Sequence, residues 1–461
     1  MNDLTDLSIS GAISGLERGD FTAVELLRAC LSKIETRQPE TNAFIDLRAE
    51  EAMAVARDVD DRRRNGDAVG PLSGIPLAHK DMFFREGRIS TCGSKILADR
   101  PATTTATVLG RLDAAGAVDL GTLNMSEFAL GPTGHNAHYG PARNPHNPDF
   151  ISGGSSSGSG AAVGAGMVFG ALGSDTAGSV RIPASLCGAV GLKPTMGRVS
   201  GYGTMPLSKS LDTVGVLARS VADCALIFDI IAGHDPRDPD SSRKPVDPCR
   251  AAAVAGDLVG IKIGRPTDYY FDGVHDDVAR ALDAAISRLG DLGAEIVDLP
   301  IHHHEPAIEA ATILVTSEAA ALHAEWLANR PEDYGRPVRE RIETGFTRSA
   351  PEYLKILSDR QIRVPMFAEH MRTHCDAFLA PVMDLPTPTI EESDSEGGPA
   401  SLELISRLNC KTRTVNYLGF PAITVPAGTD TNGMPLGIQF VSQPFSERLL
   451  FKIAAAFELI K

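Results

Sequence analysis

The sequence predicts an α/β fold, on two observations. Helical patterns alternate with short apolar runs of strand length, and a dense Gly, Ser and Ala segment, Ser152 to Thr195, breaks into apolar pieces instead of running on as a polar linker. A chain of 461 residues can bury a large core, as one domain or as two interlocked ones. Small residues in the dense segment let backbones pass close together, as in the floor of an active site.

The elements follow in order. Thr22 and Glu25 have capping-box spacing, and Val24, Leu26, Leu27, Leu31 and Ile34 supply the apolar stripe of a helix. A second helix is predicted over 47–64. Gly70 to Gly74 then punctuates the chain before Ile75 to Ala78, a buried strand running into His79-Lys80-Asp81. Thr105 to Ala115 reads as a helix and Ala117 to Leu120 as a strand. Gly131 to Asp149, rich in Gly, Pro, Asn and His, reads as a long irregular loop. A small-residue helix is expected at 159–167 and a strand-to-helix unit at 214–232, with Ser220 and Asp223 at its helix start. Asp235 to Val254 is a surface crossover; strand 259–264, helix 276–289 and strand 295–299 come next. The segment 306–374 is mainly helical and is expected to line or cover the site. The acidic loop Glu391 to Gly398 precedes strands at 421–426 and 437–442.

Composition narrows the function. A formal charge of −15 with no sustained basic run argues against a nucleic-acid surface. The start, MNDLTDLSIS, lacks the basic-then-apolar pattern of a secretory signal, and no run approaches the ~20 apolar residues of a spanning helix. Seven scattered cysteines give neither a disulfide framework nor metal-ligand spacing. The expectation is a cytoplasmic enzyme without membrane contact, metal or cofactor.

Two residues carry the chemistry. Ser179 follows Asp175-Thr176-Ala177-Gly178, a tight turn whose amides can face a developing oxyanion. Its hydroxyl needs a base, yet no GxSxG elbow is present and no histidine has a selecting spacing. Lys80, directly after a buried strand, is the alternative, because burial lowers a lysine pKa enough for the neutral amine to act as base. His302-His303-His304 cannot all face one metal from regular backbone. GSGAAVGAG lacks the Lys and Ser/Thr ending of a phosphate loop.

The strings GIPLAHKD around Lys80, GGSSSGSGAAV from Gly153, GSDTAGSVRIPASLCG from Gly173 and GLKPTMGRVS from Gly191 resemble the amidase signature family. GTLNMSEFALG, SLDTVGVLARSVADCAL, FPAITVPAG and GMPLGIQFVS extend the resemblance over most of the chain. It implies a single domain over 1–461, a mixed central β-sheet covered by helices on both faces, a catalytic core at 70–232 and a helical substrate-pocket region at about 306–374. It further implies a Ser-cisSer-Lys triad of Ser179 as nucleophile, Ser155 as bridge after a cis peptide bond, and Lys80 as base. Amides of Thr176, Ala177, Gly178 and Ser179 become the oxyanion hole, with Ser156, Asp175 and Arg181 as support. Ser157, Ala177 and Val180 depart from the usual Gly, Gly and Ile, all conservatively.

The implied reaction is hydrolysis of a carboxylic acid amide through an acyl-enzyme, on a small-molecule amide substrate, with a homodimer as the family-based expectation. The family also includes carboxybiuret hydrolase. The main competitor is the glutaminase subunit of a glutamyl-tRNA amidotransferase, and a catalytically inactive scaffold protein is the non-enzyme alternative. The region SEAAALHAEWLANRPEDYG keeps only the Tyr334-Gly335 ending of the Tyr-rich glutamine-binding helix of such subunits, which favours a free-standing amidase. Met125, His135, Trp326, Tyr353 and Asp384 are candidate pocket residues. Arg339 or Arg413 in the substrate path would favour a carboxylate-bearing amide.

Overall fold

Eleven strands form one mixed sheet with helices on both faces. The strands are β1 (Phe44–Leu47), β2 (Pro76–Lys80), β3 (Val118–Leu123), β4 (Gly170–Asp175), β5 (Val190–Lys193), β6 (Thr213–Ala218), β7 (Lys262–Pro266), β8 (Glu295–Leu299), β9 (Ala377–Pro381), β10 (Ala422–Thr429) and β11 (Pro435–Ser442). Across the sheet they lie in the order β1-β3-β2-β4-β6-β5-β10-β11-β9-β7-β8. The structure, a computed structural model, describes residues 3–458 except 255, 302, 303, 395 and 397, and the backbone alone for 304–306. His302 and His303 and the side chain of His304 therefore lie outside the described residues.

The helix starts follow from local chemistry. Thr22 Oγ1 accepts from the Glu25 amide at 3.1 Å while Glu25 Oε2 accepts from the Thr22 amide at 2.8 Å, closing the capping box of helix Ala23–Thr41. Ser220 caps helix Val221–Ile231 through its side chain, and Asp223 reaches back to the Ile9 amide at 2.8 Å, pinning the amino-terminal helix Ile9–Arg18. The segment 306–374 resolves into helices His304–Asn329, Arg336–Glu343 and Ala350–His374. Among the described residues no helix is long and apolar enough to cross a membrane, and all seven cysteines are free thiols, six of them buried.

Three strands near the centre fix the site. β2 runs parallel to both β3 and β4, with Leu77, Ala78 and His79 opposite Gly170, Ala171 and Leu172. That register carries Lys80, the last residue of β2, and Ser174 and Asp175, the last residues of β4, to the same carboxyl edge of the sheet, where open α/β sheets bind ligands. β4 is not evident in the sequence because GALGSD has no β-branched residue. Its glycines have a packing reason: a Cβ on Gly173 would lie 2.7 Å from Ser156 Oγ. Helix Ser157–Gly164 is made of small residues for the same cause, since a Cβ on Gly158 would meet the Ala43 carbonyl oxygen at 2.3 Å.

Candidate active site

Lys80 is fully buried, and its Nζ donates to Ser155 Oγ at 2.7 Å and to Ser174 Oγ at 2.8 Å. Burial drives its pKa down to about 7, against a weaker upward pull from Asp212 and Asp175. A substantial fraction of the amine is therefore neutral near pH 7. The Gly154–Ser155 peptide bond is cis. The Ser156 amide donates to the Ser179 carbonyl oxygen at 3.2 Å, which lays the segments of Ser155 and Ser179 side by side. Ser156 Oγ meanwhile bridges to β4, accepting from the Ser174 amide at 3.2 Å. Lys80, Ser155 and Ser179 are thus brought to one place, with Ser174 as a second hydroxyl on the amine that sequence reasoning missed.

The turn bearing Ser179 is organised by Asp175. Its carboxylate accepts from the Gly178 amide at 2.8 Å and the Val180 amide at 3.2 Å, and forms a fully buried ion pair with Arg181, whose Nη2 stands 3.0 Å from Oδ1. Burial works to raise the Asp175 carboxyl, but Arg181 outweighs it and holds the group well below the usual carboxylate range. Arg181 also donates to Gln439 Oε1 at 2.8 Å and to the Thr412 carbonyl at 3.1 Å, and Asn416 donates to Asp175. Every charge in this knot is met. Removing one partner leaves the other buried and unpaired, at a cost of about 3–5 kcal/mol. Arg181→Met is therefore expected to lower the denaturant midpoint sharply, measured by urea titration, and to disorder the Ser179 turn.

This network corrects the expected oxyanion hole. The Gly178 amide is already committed to Asp175, whereas the amides of Thr176, Ala177 and Ser179 donate to no other protein group among the described residues. Gly178 contributes conformation instead: its φ is +116°, and a Cβ there would sit 2.2 Å from Thr412 Oγ1, which itself donates to the Ala177 carbonyl at 2.7 Å. Gly178→Ala should cost about 1–3 kcal/mol from the strained backbone and displace the turn. A fall in unfolding temperature with loss of activity in the same variant is the expected outcome.

Ser179 is 8% exposed and opens into a small cavity. Around it stand Leu130, Gly131 and Pro132 from the 131–149 loop and its approach, Ile182 and Leu207, Ala311, Thr312 and Val315 of helix His304–Asn329, Arg341 of helix Arg336–Glu343, and Asn409 and Arg413. None of the five pocket candidates from sequence is among them. Met125 is buried and accepts from Asn136 Nδ2 at 2.8 Å; His135 bonds Ser393 at 2.9 Å. Trp326 stacks on Phe128 at 6.0 Å, beside His323 and Tyr334. Tyr353 donates to Glu318 at 2.8 Å, and Asp384 pairs with Arg407 at 3.3 Å. Of the two arginines, Arg413 lines the cavity, while Arg339 pairs on the surface with Glu332 at 2.8 Å. Arg341, just beyond Arg339 on the same helix, was missed.

Comparison with known proteins agrees with this geometry. The Amidase family profile matches residues 25–451. The A chain of the glutamyl-tRNA(Gln) amidotransferase from Geobacter metallireducens is 40% identical, over 99% of this chain and 97% of its own. Among solved structures, one described as a vestigial protein complex revealing the evolutionary origins of an s-triazine catabolic enzyme superposes with a TM-score of 0.91 at 36% identity, covering 98% of each chain. The corresponding glutamyl-tRNA(Gln) amidotransferase component of Thermotoga maritima superposes with a TM-score of 0.82 at 31% identity, over 99% of this chain and 95% of that one. The expectation of a homodimer acting by itself on a small-molecule amide, apart from nucleic acid, is overturned here: relatives matching end to end are subunits of an enzyme named for its tRNA. The −15 charge misled because it describes one chain, and a component of a larger enzyme can leave a basic surface to its partners. Matched along nearly its whole length by profile, sequence and structure, the chain belongs to the amidase signature family.

Proposed function

We propose that this chain is the glutaminase subunit of an aspartyl/glutamyl-tRNA amidotransferase, releasing ammonia from glutamine through an acyl-enzyme on Ser179 and working with partner subunits. The observation that carries this assignment is the 40% identity, end to end, to the matching component of a glutamyl-tRNA(Gln) amidotransferase. The chemistry is supported by the buried, partly neutral Lys80 at 2.7 Å from Ser155 Oγ.

The proposed sequence uses only this chain's residues and water. Neutral Lys80 accepts the Ser155 proton, Ser155 takes that of Ser179, and Ser179 Oγ bonds to the amide carbon. Negative charge gathers on the carbonyl oxygen, where the amides of Thr176, Ala177 and Ser179 supply preorganised donors. The carbon–nitrogen bond breaks as the relayed proton reaches the leaving nitrogen, and ammonia departs. Water then attacks the acyl carbon by the reverse relay, freeing the acid and restoring the Ser179 hydroxyl.

Expression of the tagged chain together with the genes beside its own tests the assignment. Co-purification of a stoichiometric partner, with glutamine-dependent ammonia release in the complex, is the expected result. A chain that stays free of partners while hydrolysing amides at full rate would reject it.

A further inference from the structure

The cavity next to Ser179 contains two cations and no anion. Arg341 and Arg413 both line it, and among the described residues no Asp or Glu does. Arg413 is oriented by neutral groups: its Nη1 donates to Thr312 Oγ1 at 2.8 Å and its Nη2 to Asn409 Oδ1. Arg341 has no side-chain hydrogen bond or ion pair to any described residue. The arginines nearby, by contrast, are paired: Arg339 with Glu332, Arg336 with Glu396 and Arg407 with Asp384.

Bringing two guanidiniums to one cavity is unfavourable unless an anion joins them, because buried charge is costly when unpaired. Burial, followed by repulsion from Arg413, lowers the Arg341 pKa to about 10, which leaves both groups charged at neutral pH. A planar guanidinium matches a carboxylate in two parallel hydrogen bonds, so a pair makes a strong anion site. Leu130, Ile182, Leu207, Ala311 and Val315 give the cavity an apolar wall suited to methylenes.

Resting on the acyl-enzyme reading of Ser179, we infer that Arg341 and Arg413 together bind a carboxylate on the acyl part of the substrate, and that the pocket reads this anion without a counter-charge for an ammonium group. The matching ligand is a short aliphatic monoamide of a dicarboxylic acid. Glutamine is the amino-substituted member of that class, held by its carboxylate and not by its amine. Arg413 is the specificity-determining residue at the anion end, with Asn409 and Thr312 fixing its plane.

Three probes separate the contributions: glutaramate (glutamine without its amino group), glutamine, and neutral pentanamide. Each is titrated calorimetrically into the Ser179→Ala protein, purified with any partner subunits it carries. Glutaramate is expected to bind at least as tightly as glutamine, and pentanamide about 30-fold more weakly or worse, as for loss of a buried charge pair. Arg413→Gln in that background should erase the difference between glutaramate and pentanamide, and Arg413→Lys should restore part of it, at unchanged circular dichroism.

The inference is overturned if pentanamide binds as well as glutaramate, if glutamine binds about tenfold or more tighter than glutaramate (1.4 kcal/mol of ammonium recognition), or if no probe binds. The acyl-enzyme reading fails separately. Should glutaramate bind as expected while the unsubstituted protein forms no adduct on Ser179, the anion pocket stands and the nucleophile assignment falls.

Discussion

Replacing Ser179 by alanine is expected to lower amide turnover by about 10⁴-fold or more, the scale of nucleophile loss in acyl-transfer enzymes, without unfolding the chain. The hydroxyl is the only group removed. Its residue sits at a turn held by the Asp175 carboxylate through the amides of Gly178 and Val180, none of which involves the serine side chain. Ammonia release measured beside the unfolding temperature checks both halves. Turnover within tenfold of the unsubstituted protein would move the nucleophile elsewhere, and Ser155 or Ser174 would be next to examine.

The second large effect is expected at Lys80. Lys80→Met keeps the length of the side chain and removes the amine, so turnover should fall by roughly 10²- to 10⁴-fold, the usual contribution of a positioned general base. The fold should survive, because an apolar group replaces a fully desolvated amine whose ionisation burial already disfavours. The pH dependence follows from the direction of that shift. Only the neutral amine accepts a proton, so kcat/KM should rise with pH through about 7 as Lys80 loses its charge. Lys80→Met should flatten this rising limb. A lysine at its ordinary pKa would instead place the limb near 10, and that profile would contradict the burial argument.

How much of this was legible in the sequence depends on how local the signal was. The helix caps at Thr22 and Ser220 could be read because both partners lie three residues apart. Lys80, Ser155 and Ser179 could be read through long motif strings, although nothing in their spacing places a residue of β2 beside two serines 75 and 99 positions later. That proximity is made by the parallel β2–β4 pairing, and β4 itself carries too many glycines to signal a strand. The Gly178 amide was assigned to the oxyanion hole because a tight turn offers its amides equally. In the folded turn, Asp175 uses that one for its own support.

The acyl pocket was the least legible part. Its wall is drawn from segments around 130, 207, 312, 341 and 411, so no single stretch displays it. Large aromatics were attractive candidates, yet Trp326 is used up in stacking on Phe128 within a cluster that includes His323 and Tyr334. Arg339 and Arg341 are alike in sequence, but a two-residue step on a helix turns the side chain by about 200°, toward another face. One meets surface carboxylates and the other meets the cavity.

The central claim is a covalent acyl-enzyme on Ser179, fed by Lys80 through Ser155. It is tested most directly by intact-protein and peptide mass spectrometry after rapid mixing with an amide substrate and hydroxylamine-free acid quench. The account predicts an added acyl mass, mapped to the peptide containing Ser179, absent from Ser179→Ala and slowed in Lys80→Met. Turnover of the same substrate with no adduct at any time point, or an adduct mapped to another residue, would contradict it.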